Sequence, residues 1–432
     1  MQAVFWIGLF LRVFYITVGH RYIITPIADH FMFGYEMARV ARALVTGYGY
    51  ADPFNGHTGP TAWVAPLYPL LIAGVFKLFG IYTALSAWML LTLNSIFSAL
   101  TAVFIYHIAN CCYGRKVALW SAWIWALYPA AMQYAVRWIW ETSLSCMLIT
   151  AAIALAVMMR GITPQGGLTP DEQETSDLPR DTSRQTTRQW LLFGLLWGLI
   201  GLSNPALLIL LPACGIWVLV GSPTKAVWLR AIASGLVFIA VVSPWMVRNY
   251  RVFHAFVPFR ANFGAELYMG NNPESDGMKW GKTVNGQYQV SQYKNMGEYR
   301  YSKQQGALAM TWIRNHPKRF AELSLKRFYF FWGSATHPGT EHWFLLFVRN
   351  VNYCVPNILA ILGLALALRR RKPAAWLFLW AFILVPFTYY FVTAEARFRS
   401  PLEPLIVVLS VFLIRSAQPR RRSALARSAS VH

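Results

Sequence analysis

The hydrophobic positions of this chain fall in long blocks separated by shorter polar stretches. Crossing a bilayer takes about 20 apolar residues. Blocks of that kind stand at 1–19, 84–108, 117–134, 141–159, 227–247, 345–368, 374–392 and 402–414. A further apolar stretch, 190–220, is cut by Ser203-Asn204-Pro205 and reads as two shorter spans meeting at a polar break. Ten crossings result. The run 66–79 has only fourteen residues, opens with Pro66-Leu67-Tyr68-Pro69 and carries Lys77. A re-entrant or interfacial helix fits it better than a span.

Basic residues lie mostly between the apolar blocks and set an orientation. Short cytoplasmic loops hold an excess of Lys and Arg, which places Arg115 and Lys116, the Arg180/Arg184/Arg188 linker, Lys225 and Arg230, 369–372 and the tail 420–422 on the cytoplasmic side. Alternating crossings satisfy every cluster, provided 66–79 does not cross. The outer, periplasmic side then receives a first loop, about 20–65, and the long segment 248–344. The latter is rich in Trp, Tyr and turn residues such as Gly270-Asn271-Asn272-Pro273, which implies a folded cap of mixed structure. Segment 161–189 is rich in Thr, Pro, Gly, Gln and Asp without apolar period, as a disordered cytoplasmic linker would be. The expected organisation is a transmembrane module over 1–247, the periplasmic segment 248–344, further transmembrane helices over 345–415 and a basic cytoplasmic tail over 416–432. Residues 1–19 lack a basic leader and a small-residue cleavage site, so they are expected to stay as the first span; the missing basic flank also fits a true start further upstream.

Composition strengthens this picture. Hydrophobic residues make up 56% and charged residues only 13%, with a mean hydropathy of +0.39, whereas a soluble chain carries charge at about 25%. A disordered or collagen-like chain is excluded, and a cytosolic enzyme is argued against. The expectation is an all-α polytopic protein of the cell inner membrane. The balance of 39 Lys and Arg against 17 Asp and Glu, net +22, does not indicate nucleic acid, since no soluble module offers a basic face; membrane lipids are the expected surroundings. The cysteines, Cys111, Cys112, Cys146, Cys214 and Cys354, sit in or beside apolar runs without metal spacing, as small buried hydrophobes do.

Candidate chemistry gathers on the outer face. In the first loop, apolar or small residues at 31, 34, 38, 41 and 45 recur at helical spacing, predicting a short amphipathic helix along the membrane surface, begun by Asp29 and stopped at Gly47. Asp29 has two readings: a carboxylate capping the helix, or one that takes a proton from an acceptor group and activates it. Arg137 and Glu141, four apart, form either an intrahelical ion pair or part of a site holding a second carboxylate. Asn204-Pro205 is either a tolerated kink or part of a cavity wall. Seven histidines, His20, His30, His57, His254, His316, His337 and His342, lie on the expected outer face. Their spacing matches no metal motif, so surface histidines are the simpler account, and a bound divalent metal stays an open alternative without support from the pattern.

The string Asp29 to Gly49, followed by Thr58-Gly59-Pro60-Thr61-Ala62-Trp63 and Ala65-Pro66-Leu67-Tyr68-Pro69, resembles the first periplasmic loop of the GT-C superfamily of membrane glycosyltransferases. Within it the likeness is to glycosyltransferase family 39, the protein mannosyltransferase-like and aminoarabinose-transferase-like group. Pro244-Trp245-Met246-Val247-Arg248-Asn249-Tyr250, Gly270-Asn271-Asn272-Pro273 and Ala396-Arg397-Phe398-Arg399-Ser400-Pro401 agree with it, and the likeness runs from residue 1 to about 415. Such proteins take a sugar from a polyprenyl phosphate or pyrophosphate carrier and invert the anomeric centre. The resemblance implies a base or acceptor-orienting role for Asp29, with Tyr35 near the family's loop tyrosine and an acidic residue at the position of Glu141. Where the family more often has a second acidic residue beside the aspartate, this chain has His30, which puts a metal role for the loop in doubt.

A phosphate-linked sugar already carries a good leaving group, so no general acid and no cofactor is required, only cations for the departing phosphate. Arg397 and Arg399, at the expected outer end of a span, are the phosphate candidates, with Arg248 a weaker third; the alternative is a pair of interface arginines reaching for water. The expected function is inverting transfer of a sugar from a polyprenyl-phosphate donor to an acceptor protein, lipid or glycan on the periplasmic face. The rival is a transporter or flippase of lipid-linked saccharides, although no second copy of the interrupted 190–220 pattern is present to mark inverted repeats.

Overall fold

The computed structural model describes residues 1–162, 185–221, 223–277, 287–333 and 343–417. Most of the expected linker, the basic tail from 418, and His337 and His342 lie outside the described residues. Among those described, the chain is helical without strands, apart from one isolated antiparallel bridge between Ala51 and Pro60.

Five helices are long and apolar enough to cross a membrane: Ala84–Tyr113, Thr142–Met159, Lys225–Phe253, Phe347–Arg369 and Arg397–Ala417. Shorter apolar helices at Gln2–Val18, Leu67–Phe79, Pro205–Val220 and Ala375–Phe391 pack among them. Their outward faces are apolar. Trp228, Leu229, Ile232, Leu236 and Ile239 are exposed along Lys225–Phe253, and Trp6, Phe10 and Phe14 along Gln2–Val18. The protein is a membrane protein, because only hydrocarbon accommodates such surfaces. Helix Thr187–Ser203 lies so close to Lys225–Phe253 that a Cβ at Gly194 would collide with the Ser234 carbonyl.

Besides the first-loop helix, two expected elements differ from those observed. The block 117–134 is two helices, Arg115–Leu127 and Pro129–Val136. Proline lacks the N–H that would bond the Trp125 carbonyl four residues back, and it forces the preceding residue out of the helical region; Tyr128 is extended, at φ −69° and ψ 118°. The freed carbonyls are capped from the first helix. Arg12, fully buried, donates to the Trp125 oxygen at 3.3 Å and the Ala126 oxygen at 2.9 Å, and to Gly8 on its own helix at 2.9 Å. The other difference is the cap: its described part is helical rather than mixed, built from Phe263–Gly270, Gln287–Met296, Glu298–Asn315 and Pro317–Trp332. Turn-forming residues such as Asn271 and Asn272 end a helix there and bond carbonyls of its last turn.

The Asn204 break is as expected. Helix Thr187–Ser203 stops, a 3-10 turn runs Pro205–Leu210, and Leu211–Val220 continues.

Replacing Arg12 with Met should strand the Trp125 and Ala126 carbonyls, at about 1–3 kcal/mol for each buried group left unpaired. The melting midpoint of the detergent-purified protein would fall, and adding Pro129→Ala, which restores a backbone donor, would recover part of the loss. An Arg12→Met protein that melts like the parent would remove this account.

Candidate functional site

A cavity of about 350 Å³ lies where the first loop, the start of Thr142–Met159, the Asn204 break, the segment 258–266 and the end of Ala375–Phe391 with the turn after it come together. Its wall includes Glu36, Glu141, Glu266, Arg260 and Arg397, with Trp63, Trp140, Phe259, Phe263, Tyr389 and Phe398 as broad apolar faces. Aromatic faces of this kind suit the C–H side of a sugar ring or an isoprenoid chain.

Glu141 is held at the N-terminal edge of its helix, and the segment before it is tied to the first loop. Ile139 N–H donates to the Met32 carbonyl at 2.8 Å, and the Trp140 indole donates to the Phe31 carbonyl at 2.8 Å. Gly34, with φ +82°, permits this approach, since a Cβ there would collide with the Ile139 carbonyl. The Glu141 Oε2 atom is buried with no hydrogen-bond partner. Arg137 ends the preceding helix at φ −129° and is exposed, so the intrahelical pair between it and Glu141 does not form.

Arg397 shares the cavity with Glu141. Its guanidinium lies 4.3 Å from the Trp140 ring centre, 5.3 Å from that of Phe398 and 5.8 Å from that of Phe31. Its Nε is 2.6 Å from Glu395 Oε2, an ion contact without hydrogen-bond alignment, and Glu141 and Glu36 add their negative fields.

Arg399 is elsewhere. Two positions along the 3-10 turn Ala396–Leu402 rotate a side chain by about 240°, and Arg399 is fully buried on Glu403, with Nη2 and Nε at 2.5 and 2.8 Å from Oε1. It also donates to the Trp332 and Tyr353 carbonyls. Arg248 likewise does not line the cavity. It donates to the Thr61 carbonyl at 2.6 Å and the Tyr50 carbonyl at 2.7 Å.

Asp29 is not a helix cap. The first-loop helix begins at Glu36 and ends at Val45, preceded by a 3-10 turn over Phe31–Phe33 that His30 caps, its Nδ1 accepting from Met32 N–H at 3.1 Å. The helix is largely buried, with Met37, Ala38, Val40 and Ala41 covered, rather than spread on a membrane surface. Asp29 Oδ1 accepts from Arg39 Nε at 2.7 Å. Arg39 stacks on Tyr35 at 4.4 Å, Tyr35 lies 6.0 Å from Phe31, and Phe31 meets Arg397. Asp29 therefore stands outside the cavity wall, one chain of contacts away from it. Both Asp29, at φ +59°, and Tyr35, at φ +42°, adopt left-handed backbone, a strain common at functional loops.

Sequence reasoning did not single out Glu36, Arg260, Glu266 or Glu298. Glu36 follows directly on Tyr35, which the sequence did single out; Arg260 lies in a segment with no periodicity to mark it. Glu298 is buried, accepting from the Thr61 hydroxyl, from Ala62 N–H at 2.7 Å and from the Tyr293 hydroxyl at 2.5 Å. Burial pushes its carboxyl above the ordinary range, while those bonds and the Arg248 charge pull it back. Among the described residues no group of three or more His, Cys, Asp or Glu side chains is arranged to hold a metal ion.

No family model and no curated protein matches this sequence. Solved structures do match in shape. The archaeal oligosaccharyltransferase AglB from Archaeoglobus fulgidus, in complex with an inhibitory peptide and a dolichol-phosphate, superposes with a TM-score of 0.55 at 14% identity, over 96% of this chain and 50% of that one. Its apo form gives the same values. ArnT from Cupriavidus metallidurans, bound to undecaprenyl phosphate, is a weaker likeness, with a TM-score of 0.37 at 10% identity over 96% of this chain and 76% of that one. These neighbours are GT-C superfamily membrane glycosyltransferases. This chain spans about half the length of the oligosaccharyltransferase, and what it shares with that protein is the fold.

The Arg399–Glu403 pair holds the turn that carries Arg397. Arg399→Met, which leaves a buried carboxylate alone, should cost roughly 3–5 kcal/mol, read as a lower thermal midpoint, whereas Arg399→Met with Glu403→Leu should recover most of it. Equal midpoints for the single variant and the parent would show that the pair does not hold the turn.

Proposed function

We propose that this protein is an inverting glycosyltransferase that moves a sugar from a polyprenyl-phosphate carrier to an acceptor on the periplasmic face of the inner membrane. The carrying observation is one cavity, at the ends of apolar helices, lined by a carboxylate with an unpartnered oxygen, Glu141, and by the guanidinium of Arg397. The fold shared with an oligosaccharyltransferase solved with a dolichol-phosphate and a peptide agrees with a lipid-linked donor and an acceptor meeting at one site.

The chemistry is a single displacement. An acceptor hydroxyl loses its proton to a carboxylate while its oxygen bonds to the anomeric carbon; the bond from that carbon to the phosphate oxygen breaks, and its electron pair leaves with the phosphate. Charge develops on the phosphate, so a preplaced cation lowers the barrier. Asp29 is assigned as the base, which requires the anomeric carbon and the acceptor to meet at the first-loop rim of the cavity, because Asp29 stands outside the wall. Arg39 orients its Oδ1, Oδ2 has no hydrogen-bond partner among the described residues, and the side chain is 36% exposed, open to an incoming acceptor. Glu141 accepts hydroxyls of the donor sugar, and Arg397 faces the phosphate. The side of the membrane follows from the basic clusters at 115–116, 225–230 and 369–372.

Complementing a deletion strain and following lipid-linked sugars and periplasmic glycans by mass spectrometry tests this. Asp29→Asn should cut transfer by about 10²–10⁴ with normal expression and unchanged donor binding, leaving the lipid-linked sugar to accumulate. Glu141→Gln should weaken donor binding. Unchanged transfer in Asp29→Asn with lost transfer in Glu141→Gln would move the base to Glu141; full transfer in both would favour the transport rival.

A further inference from the structure

Of Arg248, Arg260, Arg397 and Arg399, three are already committed. Arg399 is sealed on Glu403, Arg248 holds two backbone carbonyls, and Arg397 is in contact with Glu395. Arg260 differs. It lines the cavity, and among the described residues it spends only its Nε, which donates to the Trp63 carbonyl at 2.8 Å, and makes no ion pair. A guanidinium carries five donors in a fixed fork, so both terminal nitrogens remain for something that enters the cavity.

The segment bearing it is anchored with unusual care for a connection between helices. The Trp245 indole donates to the Phe259 carbonyl at 2.7 Å, Ala261 N–H donates to the Ala62 carbonyl at 3.0 Å, and Arg260 itself bonds Trp63. The partner strip 61–63 is in turn gripped by Glu298, through the Thr61 hydroxyl and Ala62 N–H, and the same Thr61 oxygen accepts from Trp63 N–H at 2.9 Å. A relay of hydrogen bonds thus runs from a buried carboxylate 38 positions further along the chain to the one cavity arginine, among the described residues, that has no carboxylate partner. Two terminal nitrogens held this firmly at the cavity wall are preplaced for an anion that enters it.

We infer that Arg260 is the principal anchor of an anionic phosphate group in this cavity, and that Glu298 is a positioning residue that fixes Arg260 through Thr61, Ala62 and Trp63. The inference rests on the cavity being the transfer site proposed above, and it shifts the main phosphate contact from Arg397 to a residue on a different segment. Bidentate pairing of the free Nη1 and Nη2 with two phosphate oxygens is the geometry that suits the fork. The aromatic wall beside it takes the first isoprenoid units of a lipid phosphate. Glu395 leaves Arg397 with little net charge, so Arg397 orients the group rather than supplying the main attraction.

Farnesyl phosphate, farnesol and inorganic phosphate, titrated calorimetrically into the purified full chain in neutral detergent, decide the matter without any turnover. Arg260→Gln should weaken farnesyl phosphate at least tenfold and leave farnesol unchanged, with Arg260→Lys intermediate. Glu298→Gln should weaken farnesyl phosphate severalfold with farnesol again unchanged, a pattern that general loosening of the fold would not give. Inorganic phosphate competing with Arg260-dependent binding would support the anchor and name a free anion as a second source. Farnesyl phosphate binding equally well to Arg260→Gln and parent would overturn the inference, even if Asp29→Asn still abolished transfer. Conversely, Arg260-dependent binding together with full transfer in Asp29→Asn and Glu141→Gln would keep the anchor and discard the enzymatic reading.

Discussion

Backbone groups freed inside an apolar helical bundle have no water to turn to, and this molecule satisfies many of them with buried arginine. Arg12, Arg39, Arg327 and Arg399 are among its largest fully buried side chains. Three of them close a place where a helix breaks or ends, and Arg39 ties down a loop. Arg12 caps the break made by Pro129, Arg327 bonds the Gly270 carbonyl and the Asn271 side-chain oxygen at the end of a cap helix, Arg39 reaches the Pro53 carbonyl, and Arg399 reaches those of Trp332 and Tyr353. Five donors on one rigid group make arginine suited to this, since a single side chain satisfies several stranded carbonyls at once.

This use of arginine shapes the site. The break at Asn204 and the turn 396–402 bring polar backbone and side chains to the cavity wall, and the turn is held by the buried Arg399. Most of the positive charge near the cavity is therefore structural. An anion entering the cavity meets a wall already crowded with paired groups, and its recognition depends on the few donors not yet used: the fork of Arg260 and the outer edge of Arg397. On the carboxylate side, Glu141 keeps an oxygen without a partner, while among the described residues only one Asp29 oxygen is bonded, to Arg39. Strained backbone at Asp29 and Tyr35 is held by packing of the loop against Ile139 and Trp140, which couples the geometry of the loop to that of Glu141.

Much of the architecture was legible from residue order. Apolar blocks predicted the long helices, and Ser203-Asn204-Pro205 predicted the interruption. Apolar length is a local property, and a proline or a turn sequence acts on its immediate neighbours, so these features need no knowledge of the fold. Pro129 carried the same kind of signal within the block 117–134 and ends the helix there.

Pairing was decided only in three dimensions. Arg397 and Arg399 look equivalent in sequence, yet the pitch of a 3-10 turn sends one to the cavity and the other to Glu403. Arg137 and Glu141 have ion-pair spacing, yet the helix ends between them. Arg260 carries no sequence signal at all, because its importance lies in bonds to residues nearly 200 positions away and in the partner it lacks. A sequence determines where helices form and break through contacts between near neighbours; which charge is spent on structure and which is left for a ligand depends on neighbours that only folding brings together.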